Sequence, residues 1–168
     1  MSFEDIIRKR EACRKFSDYK LSEEELNRIL EAGRLAPSAK NLQPIKILVV
    51  KSEDGIKRID EVSPCRYNSP QVLIVCGDKN VAFREGDYSG YEVDASICAT
   101  HMMLEATNIG IDNIWVRMFD SKKVKELFNL TDGLEPVCLI SLGKKASDCP
   151  PSPNHNKRKE KSELVDYI

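Results

Sequence analysis

Four short apolar runs alternate with amphipathic stretches along the chain. Ile45–Val50 (IKILVV), Gln71–Cys76 (QVLIVC), Asn113–Met118 (NIWVRM) and Val137–Leu142 (VCLISL) are rich in β-branched residues and too short for helices. Each therefore reads as a largely buried strand. Gly77 and Asp78 are expected to end the second strand, and Gly143 the fourth. Helical spacing fills the gaps between them. Phe3, Ile6 and Ile7 recur at helical intervals behind Ser2 and Asp5, predicting a first helix to about Arg10. Ser22 and Glu25 form a capping box, with Leu21 and Leu26 placed as a hydrophobic staple, so a second helix starts there and turns Leu26, Ile29 and Leu30 inward. It must stop near Leu35, because the residue before Pro37 is pushed out of the helical region. Short helices are expected over about Asp54–Val62 and, capped by Ser121, over KKVKELF, with Val124, Leu127 and Phe128 on one face.

The longest helical candidate runs from about Tyr91 to Asn108 and is apolar on nearly every side, through Val93, Ala95, Ile97, Cys98, Ala99, Met102, Met103, Leu104 and Ala106. A chain of 168 residues has room for one full core and little interior in which to hide such a helix. A second copy of the chain would cover the remainder, which predicts a homodimer. On the same grounds residues 1–168 are expected to form one domain, with 149–168 as an extended tail that opens Pro-rich and turns basic.

Charge and cysteine usage narrow the function. The 26 basic residues nearly cancel the 27 acidic ones, so no global field gathers nucleic acid or an anionic membrane. No run approaches the roughly 20 apolar residues of a membrane span, and MSFEDIIRKREACRKF has no apolar stretch of signal-peptide length; a cytoplasmic location is the expectation. The six cysteines show no CxxC pair, which disfavours zinc and iron–sulfur centres. Cys13, Cys76, Cys98 and Cys138 read as small buried hydrophobes. No G-x-G-x-x-G follows a strand, so a Rossmann nicotinamide site is not expected. Asp87, Glu92 and Asp94 read as a solvated acidic helix start, and His101 as a core or interface histidine.

Three stretches could carry chemistry. Arg10-Glu11-Ala12-Cys13-Arg14 holds two guanidinium groups four residues apart, and is either a solvated helix end or part of an anion site. Pro37-Ser38-Ala39-Lys40-Asn41-Leu42-Gln43-Pro44 fixes polar groups between two prolines, as an ordinary capped turn or as a loop suited to a heteroaromatic edge. Lys157-Arg158-Lys159 is a solubilising tail or a third cationic element.

Taken in order, these stretches resemble the nitroreductase family of FMN-dependent oxidoreductases. Arg10–Phe16 (REACRKF) lies in register with that family's Arg-Arg-Ser-Ile-Arg-Lys-Phe-like run. Residues 36–44 (APSAKNLQP) match its Ala-Pro-Ser-x-x-Asn-x-Gln-Pro-Trp-like turn in all but the Trp. The Asp94-containing helix ending in Asn108-Ile109-Gly110, the strand at Ile114-Trp115-Val116, the strand from Pro136 to Gly143 and a late basic residue extend the likeness over essentially the whole chain. The resemblance implies an α+β three-layer sandwich around a mixed, mainly antiparallel sheet, and a homodimer with FMN at the interface. It also implies that Arg10 and Arg158 hold the FMN phosphate, that Ala12 offers backbone contact, and that Arg14 tunes the flavin with a fixed positive charge. Pro37, Ser38, Asn41 and Gln43 would contact the ring from the other subunit, Asn68 the pyrimidine edge, and Leu142 and Gly143 the phosphate end through backbone groups.

The activity so implied is ping-pong hydride transfer from NADH or NADPH through flavin N5 to a nitroaromatic, quinone or related small acceptor, with no protein acid, nucleophile or metal required. Four departures bear on it. Ala12 replaces a Ser, Glu11 a basic residue and Ile45 the Trp, and the chain is shorter than many members, which thins the cover expected over the flavin. A flavin-binding storage or sensing module with little turnover is the alternative that these departures suggest.

Overall fold

The computed structural model describes all residues from Met1 to Ile168. Along the chain the elements are α1 (Phe3–Lys9), α2 (Glu23–Arg34), β1 (Ile45–Val50), α3 (Glu53–Val62), β2 (Gln71–Asp78), a small hairpin of β3 (Arg84–Glu85) and β4 (Tyr88–Ser89), α4 (Tyr91–Asn108), β5 (Asp112–Val116), α5 (Ser121–Leu127) and β6 (Leu134–Gly143). The main sheet has the order β1-β2-β6-β5 with every neighbouring pair antiparallel. One parallel bridge, Ala12 to Asn113, adds the incoming N-terminal run to its edge.

Strand alternation divides the interior into two layers. In β2, Leu73 and Val75 face Leu26 and Ile29 of α2 and Cys98, Ala99 and Met102 of α4. Val72, Ile74 and Cys76 face the opposite way, onto Ile59 and Val62 of α3 and Val124 of α5. With helices over both faces, the result is an α+β three-layer sandwich. The centre of β2, Val72–Cys76, is apolar throughout because it is covered on both sides.

Gly77 does not end β2, which continues to Asp78. A Cβ at Gly77 would stand 2.6 Å from the Tyr91 carbonyl oxygen, so this glycine is the clearance that lets the start of α4 approach the strand. β6 begins at Leu134, ahead of the expected Val137, and accommodates Pro136 at a bulge: Val75 pairs with Cys138 and Cys76 with Pro136. Lacking an N–H, proline is tolerated where the ladder is interrupted. The extra residue puts Val137 and Cys138 into the same core.

Other boundaries also moved. Asp120, not Ser121, caps α5, accepting from Lys123 N at 3.0 Å. The third strand starts at Asp112 and ends at Val116, and the tail has only a 3-10 turn at Lys161–Glu163. α4 spans the expected residues but is buried on its inner side only; Val93, Thr100 and His101 are exposed, which takes His101 out of the core. α1 is capped by Ser2 and buries no residue, leaving Phe3 and Ile7 exposed.

Candidate functional site

The run after α1 is laced into one corner of the sheet. Ala12 bridges Asn113, Cys13 N donates to Asn113 O at 3.1 Å, Phe16 N donates to Tyr67 O at 3.0 Å, and Phe16 bridges Lys145. Asn113 is buried and donates its amide to Met103 O and Thr107 Oγ1, both at 3.1 Å, which ties this edge to the end of α4. Leu142 pairs with Gln71 and Asn113 in the same corner. Leu142 and Gly143 are buried; Leu142 N donates to Ser69 Oγ at 3.1 Å, and Ser69 Oγ donates toward Leu142 O at 2.7 Å. Both backbone groups of Leu142 are thus engaged with Ser69.

Arg10 caps the end of α1 and is half-buried. Burial lowers its pKa, Arg158 lowers it further, and Glu11 works in the opposite direction. The exposed Arg158 thus lies near enough to the half-buried Arg10 to disfavour its charge. Arg8, Arg28, Arg34, Arg58 and Arg66 have carboxylate partners; Arg10, Arg14 and Arg158, like Arg84 and Arg117, form no salt bridge. Glu11 pairs instead with Lys145 at 3.2 Å. Desolvated like charges disfavour each other and are relieved by an anion with several acceptor oxygens.

The tail is fastened over this corner. Arg14 Nη1 donates to Ser152 Oγ at 3.3 Å, and His155 Nε2 lies 2.9 Å from Arg8 O. Arg14 also acts on Tyr67: the phenol is pushed up first by its hydrogen bond with Cys65 and then by burial, while Arg14 pulls it down. Tyr67 and Asn68 are both left-handed, with φ of 56° and 63°. Two such non-glycine residues in succession are strained backbone of the kind that gathers at functional sites.

The Pro37–Pro44 turn is the second strained segment, with φ of 52° at Lys40, 54° at Asn41 and 52° at Gln43. Ser38 Oγ accepts from Gln43 N at 2.9 Å, and Gln43 Nε2 donates to Asn41 O at 3.2 Å. Pro37 is exposed, and the Asn41 side-chain amide is exposed with no partner within the chain. The turn is pinned to α4 by Asp94 Oδ1, which accepts from Ala39 N at 3.1 Å. Asp94 is only 3% exposed, so it is an anchor rather than part of a solvated helix start. Its Oδ2 is buried without a partner, and the residue lines a cavity of about 230 Å³ shared with Pro37, Ser38, Gln43 and Cys98.

The two clusters lie at opposite ends of the sheet. Ile45, which follows the turn, pairs with Gly77, whereas the arginine corner is at Gln71 and Leu142. Six residues of strand at about 3.3 Å each separate them by roughly 20 Å. Arg10, Ala12, Arg14, Asn68, Leu142, Gly143 and Arg158 are thus gathered at one end of the sheet, and Pro37, Ser38, Asn41 and Gln43 at the other. Asp94, Tyr67, Ser152 and His155 are positioning residues that the motif comparison did not select. An acid set between Val93 and Ala95 on the apolar side of the helix was the signal for Asp94, and the Tyr-Asn-Ser-Pro turn for Tyr67.

The chain belongs to the nitroreductase family, a family of oxidoreductases, whose sequence profile matches residues 7–66 and 63–144. A solved nitroreductase family protein of Clostridium difficile is 34% identical, with a TM-score of 0.92, covering 99% of this chain and 98% of that one. An Archaeoglobus fulgidus protein named as an NADH dehydrogenase/NAD(P)H nitroreductase is 28% identical over 145 residues, 82% of each chain. A protein of Exiguobacterium sibiricum, solved in complex with FMN, shares the fold at a TM-score of 0.84 and 23% identity, covering 100% of this chain and 98% of that one. No helix of the chain is long and apolar enough to cross a membrane.

Proposed function

We propose that the protein is an FMN-dependent NAD(P)H oxidoreductase that works as a homodimer, each FMN lying between the arginine corner of one subunit and the Pro37–Pro44 turn of its partner. The observation that carries this reading is the half-buried Arg10, which forms no salt bridge and feels the positive charge of the exposed Arg158 beside it. Such a pair fits a phosphate monoester, which offers acceptor oxygens to two guanidinium forks. The FMN complex of the Exiguobacterium protein and the nicotinamide-linked name of the Archaeoglobus protein agree with it.

Within this reading the chain's own residues bind, orient and polarise. Arg10 and Arg158 take the phosphate, and Ala12 and Asn68 border the space beyond it. Arg14, fixed by Ser152, supplies a permanent positive charge that favours electron-rich states of the ring. Asn41 offers a free amide from the partner, held by a turn that Asp94 keeps in place. When bound, FMN supplies the hydride chemistry, taking a hydride from NADH or NADPH and passing it to a small acceptor such as a nitroaromatic or quinone in two successive half-reactions.

The roughly 20 Å between the clusters is the reason for a dimer. Exposed Phe3 and Ile7 on α1, Val93 on α4, and Leu164, Tyr167 and Ile168 in the tail provide apolar surface for a partner. The test is to load purified protein with FMN and mix it anaerobically with NADH or NADPH. Loss of the yellow colour supports a reductase; colour that persists favours a flavin-binding module, and failure to bind FMN removes the reading.

A further inference from the structure

Cys13 stands between Ala12 and Arg14, and Cys149 opens the tail. Their sulfurs are 4.0 Å apart, and both are free thiols. The segments that carry them run side by side: Phe16 bridges Lys145, Ala146 N donates to Lys15 O at 2.9 Å, and Lys15 pairs with Asp148. The two sulfurs are thus already in contact on paired backbones, although 136 residues separate them in sequence. Cys149 is half-buried and followed by the extended Pro150–Pro153 stretch, whereas Cys13 is 3% exposed.

We propose that Cys13 and Cys149 are a reversible disulfide site that, under peroxide, clamps the tail onto the Arg10–Phe16 run. The more accessible Cys149 meets the oxidant first. Its sulfur attacks one peroxide oxygen, the O–O bond breaks, and water leaves a sulfenic acid behind. The Cys13 sulfur then attacks that sulfur; the S–O bond breaks, the S–S bond forms, and a second water leaves. Two thiols and one hydrogen peroxide thereby give one disulfide and two waters. A low-molecular-weight dithiol reverses the change by exchange and is itself oxidised. Burial pushes the Cys13 thiol up to about 12, which makes the second step slow and confines the clamp to sustained oxidation.

The clamp acts on the tail that places Ser152 at Arg14 and Arg158 at Arg10. On the cofactor reading above, the oxidised protein releases FMN several-fold more slowly than the reduced one.

The full-length protein, treated with hydrogen peroxide, is expected to show before alkylation an intact mass about 2 Da below the reduced chain, and after alkylation and digestion a Cys13–Cys149 linked peptide that is lost in dithiothreitol. Cys149→Ser and Cys13→Ser should each abolish the linked peptide; because Cys13 is buried, Cys149→Ser is the control least exposed to misfolding. Hydrogen exchange at Ser152–Arg158 should slow several-fold on oxidation in the wild type and not in Cys149→Ser. Absence of the linked peptide, linkage of Cys13 to another cysteine, or unchanged exchange in the linked protein would overturn the proposal. If FMN binds neither form, the cofactor reading fails, while mass and exchange still decide the clamp.

Discussion

Replacing Arg10 with Met removes one fork of the proposed phosphate clamp while keeping an unbranched apolar stem. Charge-assisted hydrogen bonds are worth about 1.5–3 kcal/mol each, so the loss converts to a roughly 10- to 150-fold weaker FMN affinity. The free protein should suffer little. Arg10 has no ion pair to lose, and its removal relieves the repulsion from Arg158. Riboflavin, which has the ring and ribityl chain but no phosphate, separates a phosphate contact from general damage. Fluorescence titration of the cofactor-free protein should therefore show the FMN affinity of Arg10→Met falling toward that of riboflavin, with riboflavin affinity itself unchanged and the urea midpoint at or slightly above the wild-type value. An equal loss for both ligands, or no loss for FMN, would refute the assignment of Arg10 to the phosphate.

Further outcomes follow from the same geometry. Asn41→Ala should weaken FMN by about fivefold, the value of one hydrogen bond of roughly 1 kcal/mol, and leave sedimentation of the dimer unchanged. Asp94→Ala should loosen the turn, read as faster hydrogen exchange at Ala39–Gln43, while Asp94→Asn, which keeps an acceptor for Ala39 N, should preserve it. Glu135 tests the pH behaviour: burial pushes its carboxyl up, but hydrogen bonds from Lys125 and Lys79 more than offset this and hold it below its ordinary 4.5. Its contribution is present above that value and fades as pH falls through the lowered one, so Glu135→Gln should cost stability in urea at neutral pH and progressively less in acid below about 4.5.

The fold was legible in the chain where periodicity was strong. The β-branched runs around Val49, Ile74 and Ile140 and the capping box at Ser22 located their elements, because burial on two faces and orphan helix donors demand those residue types. Boundaries failed where one residue type serves two purposes. Gly77 looked like a strand end but provides clearance for Tyr91, and Asp120 and Ser121 are both good caps, of which only one is placed to accept from Lys123. The site was legible as motifs but not as geometry. Asp94 looked like an acid opposing a helix dipole, since its partner Ala39 is 55 residues away in sequence. That the arginine corner and the polar turn stand at opposite sheet ends emerges only from the register of β1, β2 and β6.

The requirement for two subunits is tested most directly by complementation. Arg10→Met and Asn41→Ala chains, each carrying a different tag, would be mixed under conditions that exchange subunits, and the mixed dimer isolated. If each site joins Arg10 of one chain to Asn41 of the other, one site of the mixed dimer carries both lesions and the other carries none. The expected result is one FMN bound with wild-type affinity per mixed dimer. If both partners came from the same chain, every site would carry one lesion, and a mixed dimer without a wild-type site would contradict the account.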